Sequence, residues 1–139
     1  MIPEMLIEKA MEVQKNAYAP YSHFLVGAAI LCEDGSVYTG CNIENASYGA
    51  TNCAERTALF KAVSEGKRKF IAIALVGNRQ GEENNREICM PCGTCRQVLS
   101  EFVSSDFKIY AAKSREEYKV FTMAELLPYS FSEKNLFSF

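Results

Sequence analysis

Phe70-Ile71-Ala72-Ile73-Ala74-Leu75-Val76-Gly77 is a continuous apolar run in the middle of a chain of 139 residues. It is far too short to cross a membrane, and it contains the β-branched and aromatic residues that strands favour. A strand that is apolar at every position has to be covered on both of its faces. The run therefore predicts a central strand of a sheet that lies inside the molecule.

A hairpin is predicted on the N-terminal side of this strand. Residues 24–31 form another apolar run, and residues 37–42 return as its partner after the turn Glu33-Asp34-Gly35-Ser36. Asp-Gly supplies the positive φ that tight hairpins need, so at least part of the sheet is antiparallel. Further strands are predicted at residues 107–112 and 118–121.

Helices are predicted between these strands. Residues 3–16 carry a helical apolar stripe, Asn52 is an expected N-cap for a helix over residues 53–65, and Pro91 suits the first turn of a helix over residues 92–103. A capping box opens a short helix at Thr122. Helices interleaved with strands indicate an α/β layered sandwich, which we expect to form one domain over residues 1–139.

Composition narrows the class of protein. The chain is 48% hydrophobic and 23% charged with a net charge of −2, which is typical of a globular protein and gives no basic surface for nucleic acid or an anionic membrane. The first residues lack a signal-peptide pattern, so we expect a cytoplasmic protein. Its six cysteines are then expected to be free thiols or metal ligands and not disulfides.

Three cysteines have the arrangement of a zinc site. Cys92 and Cys95 are three residues apart, so in the first turn of a helix they share a face, and Cys53 stands at the start of the other predicted helix. Zinc prefers four tetrahedral ligands, and three protein thiolates leave one position open, as catalytic zinc sites do. We therefore predict a zinc ion held by Cys53, Cys92 and Cys95.

Charged residues adjoin this predicted site. Glu55 follows Cys53 by two residues, where its carboxylate is placed to move protons beside the open position. Helix N-termini lower thiol pKa values and offset the excess negative charge of three thiolates on one ion. Arg56 and Arg96, each beside a cysteine, are predicted to donate hydrogen bonds to the sulfurs.

Each of these features has a structural alternative. The pair Cys92 and Cys95 alone also fits a redox dithiol, Glu55 alone fits a helix-capping residue, and the arginines fit surface ion pairs. Cys89 would complete a non-catalytic four-cysteine zinc site with the other three. Because Met90 precedes a proline, the backbone there is extended, and we interpret Cys89 as a packing or loop cysteine. Cys32, Cys41 and His23 are expected to be structural.

With these residues in place, the chain resembles the small, homotetrameric cytidine deaminases. The likeness extends over nearly the whole chain. Its motifs are Tyr18-Ala19-Pro20-Tyr21-Ser22-His23-Phe24, Val26-Gly27-Ala28-Ala29, Gly40-Cys41-Asn42-Ile43-Glu44-Asn45-Ala46-Ser47-Tyr48, Cys53-Ala54-Glu55-Arg56-Thr57-Ala58, Pro91-Cys92-Gly93-Thr94-Cys95-Arg96-Gln97, Glu125-Leu126-Leu127-Pro128 and Ser130-Phe131. The departures are Cys89, the polar loop at residues 78–86 and the apolar tail Leu136-Phe137-Ser138-Phe139.

The resemblance implies a three-layer α/β/α sandwich with a mixed sheet of about five strands, and one zinc ion per subunit. It implies that Asn42 and Glu44 bind the ribose hydroxyls of a nucleoside substrate, for which an amide and a carboxylate are suited. Phe24, Ala54 and Tyr48 are implied to line the same pocket. The resemblance further implies a homotetramer with shared active sites, in which Phe131 reaches the base from a neighbouring subunit.

The implied reaction is the zinc-dependent hydrolysis of cytidine, and of deoxycytidine, to uridine and deoxyuridine in pyrimidine salvage. Zinc lowers the pKa of a bound water molecule toward roughly 7, and Glu55 carries protons from the water to the base. Two alternatives stay open. One is a related deaminase of the blasticidin S type, and the other is the non-catalytic zinc module.

Overall fold

The structure is a computed structural model that describes residues 1–137; Ser138 and Phe139, the end of the predicted apolar tail, lie outside the described residues. The helices are α1 (Ile2–Gln14), α2 (Ala54–Ser64), α3 (Gly93–Phe102), α4 (Met123–Leu126) and α5 (Lys134–Phe137), and the strands are β1 (Phe24–Cys32), β2 (Val37–Cys41), β3 (Phe70–Arg79), β4 (Lys108–Ala112) and β5 (Tyr118–Thr122). Short 3₁₀ turns occupy Tyr48–Ala50 and Glu83–Asn85.

The five strands form one mixed sheet in the order β2-β1-β3-β4-β5. β1 pairs antiparallel with both β2 and β3, β3 pairs parallel with β4, and β4 pairs antiparallel with β5. The predicted central strand is therefore central, and the mixed sheet of about five strands is confirmed. Crossover connections carry the chain between the parallel strands, as such pairs require.

Successive residues of β3 point into two different cores. Ile73 and Leu75 pack with α2 and α3 on one face, whereas Ala72, Ala74 and Val76 pack with α1 on the other. This alternation explains why residues 72–76 are apolar without interruption. The sheet thus lies between α1 and the α2–α3 pair, and the predicted α/β/α sandwich is confirmed. None of the helices in the described part of the chain has the length and apolarity to span a membrane.

The helix that starts near Asn52 begins one residue later than predicted. Cys53, and not Asn52, is the N-cap of α2, and Asn52 exchanges two backbone hydrogen bonds with Ile43 at 2.9 Å each. The Asn52 side chain donates to Thr57 Oγ1 over 3.1 Å. Because Asn52 is held in this extended bridge, its amide supports α2 from the side, and the predicted N-cap is wrong.

β3 extends two residues further than the apolar run indicates. Asn78 continues β3 and is only 3% exposed, although the sequence predicts a surface loop from this residue onward. Its Oδ1 accepts a hydrogen bond of 2.6 Å from Gln14 Nε2 in α1, and Arg86 donates to Gln14 Oε1 over 3.0 Å. Buried polar groups are tolerated when they are hydrogen-bonded, so this network allows a polar residue in the strand.

Gly40 lets α2 lie against β2 at very short range. A Cβ atom at this position would lie 2.4 Å from the backbone nitrogen of Ala58 and 2.8 Å from the carbonyl oxygen of Ala54. Backbone atoms cannot move aside as a flexible side-chain end does. Any larger residue at position 40 must therefore push α2 away from the sheet.

We expect Gly40→Ala to lower the free energy of unfolding by about 1–3 kcal/mol, the usual cost of overpacking. Urea denaturation measures the effect. Gly49→Ala is the control, since a Cβ atom there meets nothing within 4 Å. Equal stability of Gly40→Ala and the parent protein would show that α2 does not depend on this close approach.

Candidate active site

The first turns of α2 and α3 bring two cysteines together. Cys53 is the N-cap of α2 and Cys92 is the N-cap of α3, and neither side chain caps its helix by a hydrogen bond. Their Sγ atoms are 3.9 Å apart. Both sulfurs are therefore available to a ligand that lies off the two helix N-termini.

Cys95, in the first turn of α3, completes the group. It is fully buried, and the Sγ atoms of Cys53, Cys92 and Cys95 all lie within 4.8 Å of one another. Two sulfurs bound to one tetrahedral zinc ion at about 2.3 Å are separated by roughly 3.8 Å, so the spacing of the three sulfurs fits zinc. Among residues 1–137, the group of potential ligands at this spacing does not include Cys89.

The sulfur of Cys53 is stabilised as a thiolate. Hydrogen bonds from the Cys95 thiol and from Arg56 lower the pKa of Cys53 to about 5. They outweigh the desolvation of the site, which raises this pKa. The Arg56 guanidinium donates to Cys53 Sγ over 3.3 Å. A positive group beside the sulfurs offsets part of the negative charge that three thiolates bring to one ion.

Arg96 differs from its prediction. Its Nε donates to the carbonyl oxygen of Pro91 over 2.8 Å, and its NH1 group donates to the carbonyl oxygen of Leu126 over 2.9 Å. The predicted hydrogen bond to a sulfur is therefore wrong for Arg96. The guanidinium instead ties the start of α3 to the end of α4, and so supports the backbone that carries Cys92.

Cys89 packs against the core and stays apart from the sulfur cluster. A methyl group at Gly77 would lie 3.0 Å from Cys89 Sγ and 3.0 Å from the ring of Phe24, so both side chains lie over this glycine. Burial raises the pKa of Cys89 to about 12, which keeps it a neutral thiol. The interpretation of Cys89 as a packing cysteine is confirmed, as is the burial of Cys32 and Cys41.

Glu55 is a buried carboxyl group beside the sulfurs. It lies in the first turn of α2, and it is only 4% exposed. Burial raises the pKa of Glu55 to about 7. A carboxyl group with a pKa near neutrality both accepts and returns protons at physiological pH, which is the property of a general acid and base.

Asn42 and Glu44 follow β2. Asn42 makes hydrogen bonds to the start of β1, and Glu44 makes them to the segment that precedes β1. Asn42 Oδ1 accepts from Val26 N over 2.9 Å, and its Nδ2 donates to Phe24 O over 2.8 Å. Glu44 accepts from the backbone nitrogens of Tyr21 and Ser22, at 3.0 Å each. Each side chain keeps hydrogen-bonding capacity for a further partner, because neither uses all of its donors and acceptors.

A cleft of about 350 Å³ opens beside Glu44. The cleft is lined by Tyr48, which is 76% exposed, and by three residues for which the sequence predicted no role in binding. These are Tyr21, Ser22 and Thr51. Exposed tyrosine, serine and threonine are common in loops, so the only sequence signal for these three residues is their position within or near the motifs that carry the family resemblance.

The remaining predicted substrate residues are placed differently. Phe24 is 36% exposed at the start of β1, and Ala54 is fully buried against the sheet. Phe131 is 58% exposed in the segment between α4 and α5, where its carbonyl oxygen accepts from Gln97 Nε2 over 3.0 Å. Phe131 is not among the residues that line the cleft of its own subunit.

Comparison with known proteins identifies the family. Residues 2–111 match the family model described as the cytidine and deoxycytidylate deaminase zinc-binding region. The chain belongs to this family. The zinc ion that the family description names fits the cluster of Cys53, Cys92 and Cys95.

Individual relatives agree with this assignment. The chain is 49% identical to a cytidine deaminase of Halalkalibacterium halodurans over 133 residues, which cover 96% of each protein. It superposes on the crystal structure of a cytidine deaminase from Burkholderia pseudomallei with a TM-score of 0.82 at 46% identity, covering 91% of this chain and 97% of the other. A blasticidin-S deaminase of Bacillus cereus is 31% identical over 129 residues, covering 91% of this chain and 90% of the relative.

Proposed function

We propose that this protein hydrolyses cytidine and deoxycytidine to uridine and deoxyuridine, with the release of ammonia. The observation that carries the proposal is the buried carboxyl group of Glu55, which shares a helix start with a three-sulfur zinc site. Family membership supports the choice of an aminopyrimidine nucleoside as substrate. In the balanced reaction, the oxygen of one water molecule bonds to C4 of the base, the bond from C4 to the amino nitrogen breaks, and ammonia leaves with both water protons accounted for, one on N3 and one on the ammonia.

Cys53, Cys92 and Cys95 hold the zinc ion in this proposal, and Arg56 neutralises part of their charge. When bound, zinc acts as a Lewis acid that lowers the pKa of water. Glu55 takes a proton from the attacking water and delivers it to N3 of the base, which makes C4 electrophilic. The water oxygen bonds to C4 as this proton moves. Glu55 then takes the second proton from the new C4 hydroxyl and delivers it to the amino nitrogen, so that a carbonyl remains at C4 and the nitrogen departs as ammonia. Burial keeps the Glu55 proton from exchanging freely with solvent.

The other proposed roles concern binding. Asn42 and Glu44 bind the sugar hydroxyls, and Phe24 and Tyr48 flank the substrate, with Ala54 contributing only backbone because its side chain faces the core. An aromatic face against a pyrimidine contributes on the order of 1–3 kcal/mol. The exposed cleft beside Glu44 supports this assignment, since its volume of about 350 Å³ is large enough to admit a sugar.

We further propose that the protein is a cytoplasmic homotetramer of pyrimidine salvage whose active sites are shared between subunits. The exposed ring of Phe131 supports this, because a large aromatic side chain outside its own cleft is suited to a neighbouring subunit. The isolated subunit is then inactive. Dilution below the tetramer dissociation constant, followed by mass photometry and activity measurement, tests the coupling of assembly to turnover.

A blasticidin S deaminase is the second candidate, because a relative with that name covers most of this chain. A spectrophotometric comparison of kcat/KM for cytidine, deoxycytidine and blasticidin S separates the two. We expect the two nucleosides to be deaminated, and blasticidin S to be turned over at least about tenfold less efficiently, a discrimination of 1.4 kcal/mol. A preference for blasticidin S would overturn the proposed substrate while leaving the proposed chemistry intact.

A further inference from the structure

The turn that precedes β1 encloses the carboxylate of Glu44. The backbone N–H of His23 donates to the carbonyl oxygen of Ala19 over 2.9 Å, and His23 has a φ of 58°, in the left-handed region. This conformation directs the N–H groups of Tyr21 and Ser22 at Glu44 Oε1, at 3.0 Å each. A non-glycine residue with positive φ is uncommon, and such residues cluster at functional sites.

The Ser22 hydroxyl makes a second connection to the same carboxylate. It donates a hydrogen bond to Glu44 Oε2 and accepts one of 3.0 Å from the backbone nitrogen of Phe24. Glu44 Oε1 already receives two N–H groups, whereas Oε2 receives the serine hydroxyl alone. Since a carboxylate oxygen has two acceptor positions, Oε2 keeps one for a further donor.

We propose that Ser22 is a positioning residue that orients Glu44 for a sugar hydroxyl. The two backbone N–H groups hold only Oε1, and the terminal torsion of a glutamate is broad, so Oε2 would otherwise sample many directions. The Ser22 hydroxyl removes this freedom and aims the open acceptor position of Oε2 into the cleft that Ser22, Glu44 and Tyr48 line. This inference rests on the proposed nucleoside deaminase function.

The same hydroxyl also contacts the backbone of Phe24, which has a proposed place beside the substrate. Loss of the hydroxyl can act through Phe24 or through Glu44, and the two routes predict different results. An effect through Phe24 changes the binding of every substrate, with or without sugar hydroxyls. An effect through Glu44 changes only substrates that offer a hydroxyl to Oε2. A pair of substrates that differ in the sugar therefore separates them.

The experiment compares Ser22→Ala with the parent protein on cytidine and on 2′,3′-dideoxycytidine, which lacks the 2′ and 3′ hydroxyls to which the proposal assigns the contact with Glu44. We expect kcat/KM for cytidine to fall about tenfold, as for the loss of a hydrogen bond to a charged group, with most of the loss in KM. For 2′,3′-dideoxycytidine we expect less than about a twofold change, since the lost contact is not used. The ratio of the two values is the readout that a purely structural role would not move.

Three further variants sharpen this experiment. Ser22→Thr keeps the hydroxyl and should retain the preference for cytidine. Ser47→Ala removes a serine from the same region whose side chain makes no capping hydrogen bond, and should leave both substrates unchanged. In a Glu44→Ala background, Ser22→Ala should cause no further loss on cytidine, because the group it positions is gone.

Several outcomes would overturn the inference. Equal losses on both substrates would assign the hydroxyl to Phe24 or to the fold, and no loss on cytidine would remove the role altogether. A Ser22→Ala protein that fails to fold would assign Ser22 to the fold as well. A parent protein that releases no ammonia from cytidine would instead overturn the proposed function, and this inference with it.

Discussion

Replacing Glu55 with glutamine is expected to reduce kcat for cytidine by about 10²–10⁴-fold, the usual contribution of a positioned acid and base. Glutamine has nearly the shape of glutamate, so the buried position at the start of α2 stays filled. It cannot take a proton from water or deliver one to the base. Steady-state kinetics followed at the cytidine absorbance band measures the effect.

Two controls show whether such a loss belongs to proton transfer. The zinc content of Glu55→Gln should equal that of the parent because the sulfur ligands are kept, and its denaturation midpoint should not fall, because the packing is kept and a buried carboxylate is replaced by a neutral group. Glu116→Gln removes an exposed carboxylate from a surface loop and should leave kcat unchanged. A Glu55→Gln protein that turns cytidine over at the parent rate would exclude Glu55 as the proton carrier.

The sheet and its layers were predictable from sequence because each strand carries its own signal. Residues 72–76 of β3 are all apolar, and the structure shows why, since alternate residues enter separate cores. The hairpin of β1 and β2 follows from Asp34 and Gly35, and Gly35 adopts the expected positive φ of 92°. These signals are local, so they need no knowledge of the rest of the fold.

Contacts between distant segments were not predictable in the same way. Asn78 looks like the start of a loop until Gln14, 64 residues away in sequence, is placed beside it. Asn52 has the residue type of an N-cap, but its pairing with Ile43 gives that position to Cys53. In each case a hydrogen bond of long sequence separation overrides a local preference, and only the assembled sheet supplies it.

The candidate site shows the same contrast between residues that local sequence signals predict and residues that only the assembled fold brings together. The spacing of Cys92 and Cys95, with Cys53 at another helix start, was sufficient to predict that three sulfurs meet. The residues around Glu44 were not sufficient, because Tyr21 and Ser22 reach it through a turn that depends on His23 in the left-handed region. Sequence alone does not assign a positive φ to a histidine.

Removing any one of the three clustered cysteines is expected to abolish both zinc binding and turnover. Cys53→Ala, Cys92→Ala and Cys95→Ala each leave two sulfurs, which is one fewer than the three protein ligands that catalytic zinc sites use. We expect the zinc content to fall from about one ion per subunit to a small fraction of that. Inductively coupled plasma mass spectrometry on dialysed protein measures the metal, and the cytidine assay measures turnover.

Cys89→Ala is the matched control, since it removes a cysteine from the same short segment as Cys92 and Cys95. Its thiol is neutral, it packs beside Phe24, and it lies outside the sulfur cluster, so the variant should keep its zinc ion. Loss of zinc from Cys89→Ala would support the non-catalytic four-cysteine site and contradict the proposed enzyme. Any change in this variant should instead appear as a modest rise in KM, because Cys89 and Phe24 both lie over Gly77.

X-ray absorption of the zinc-loaded parent protein distinguishes the two sites without any substitution. A catalytic ion is expected to have three sulfur neighbours at about 2.3 Å and one light atom at about 2.0 Å, whereas a four-cysteine site has four sulfurs. The distinction decides the chemistry because an ion closed by four thiolates has no position for water. The buried carboxyl group of Glu55 would then have no water beside it to deprotonate, and its placement at the same helix start would serve no reaction.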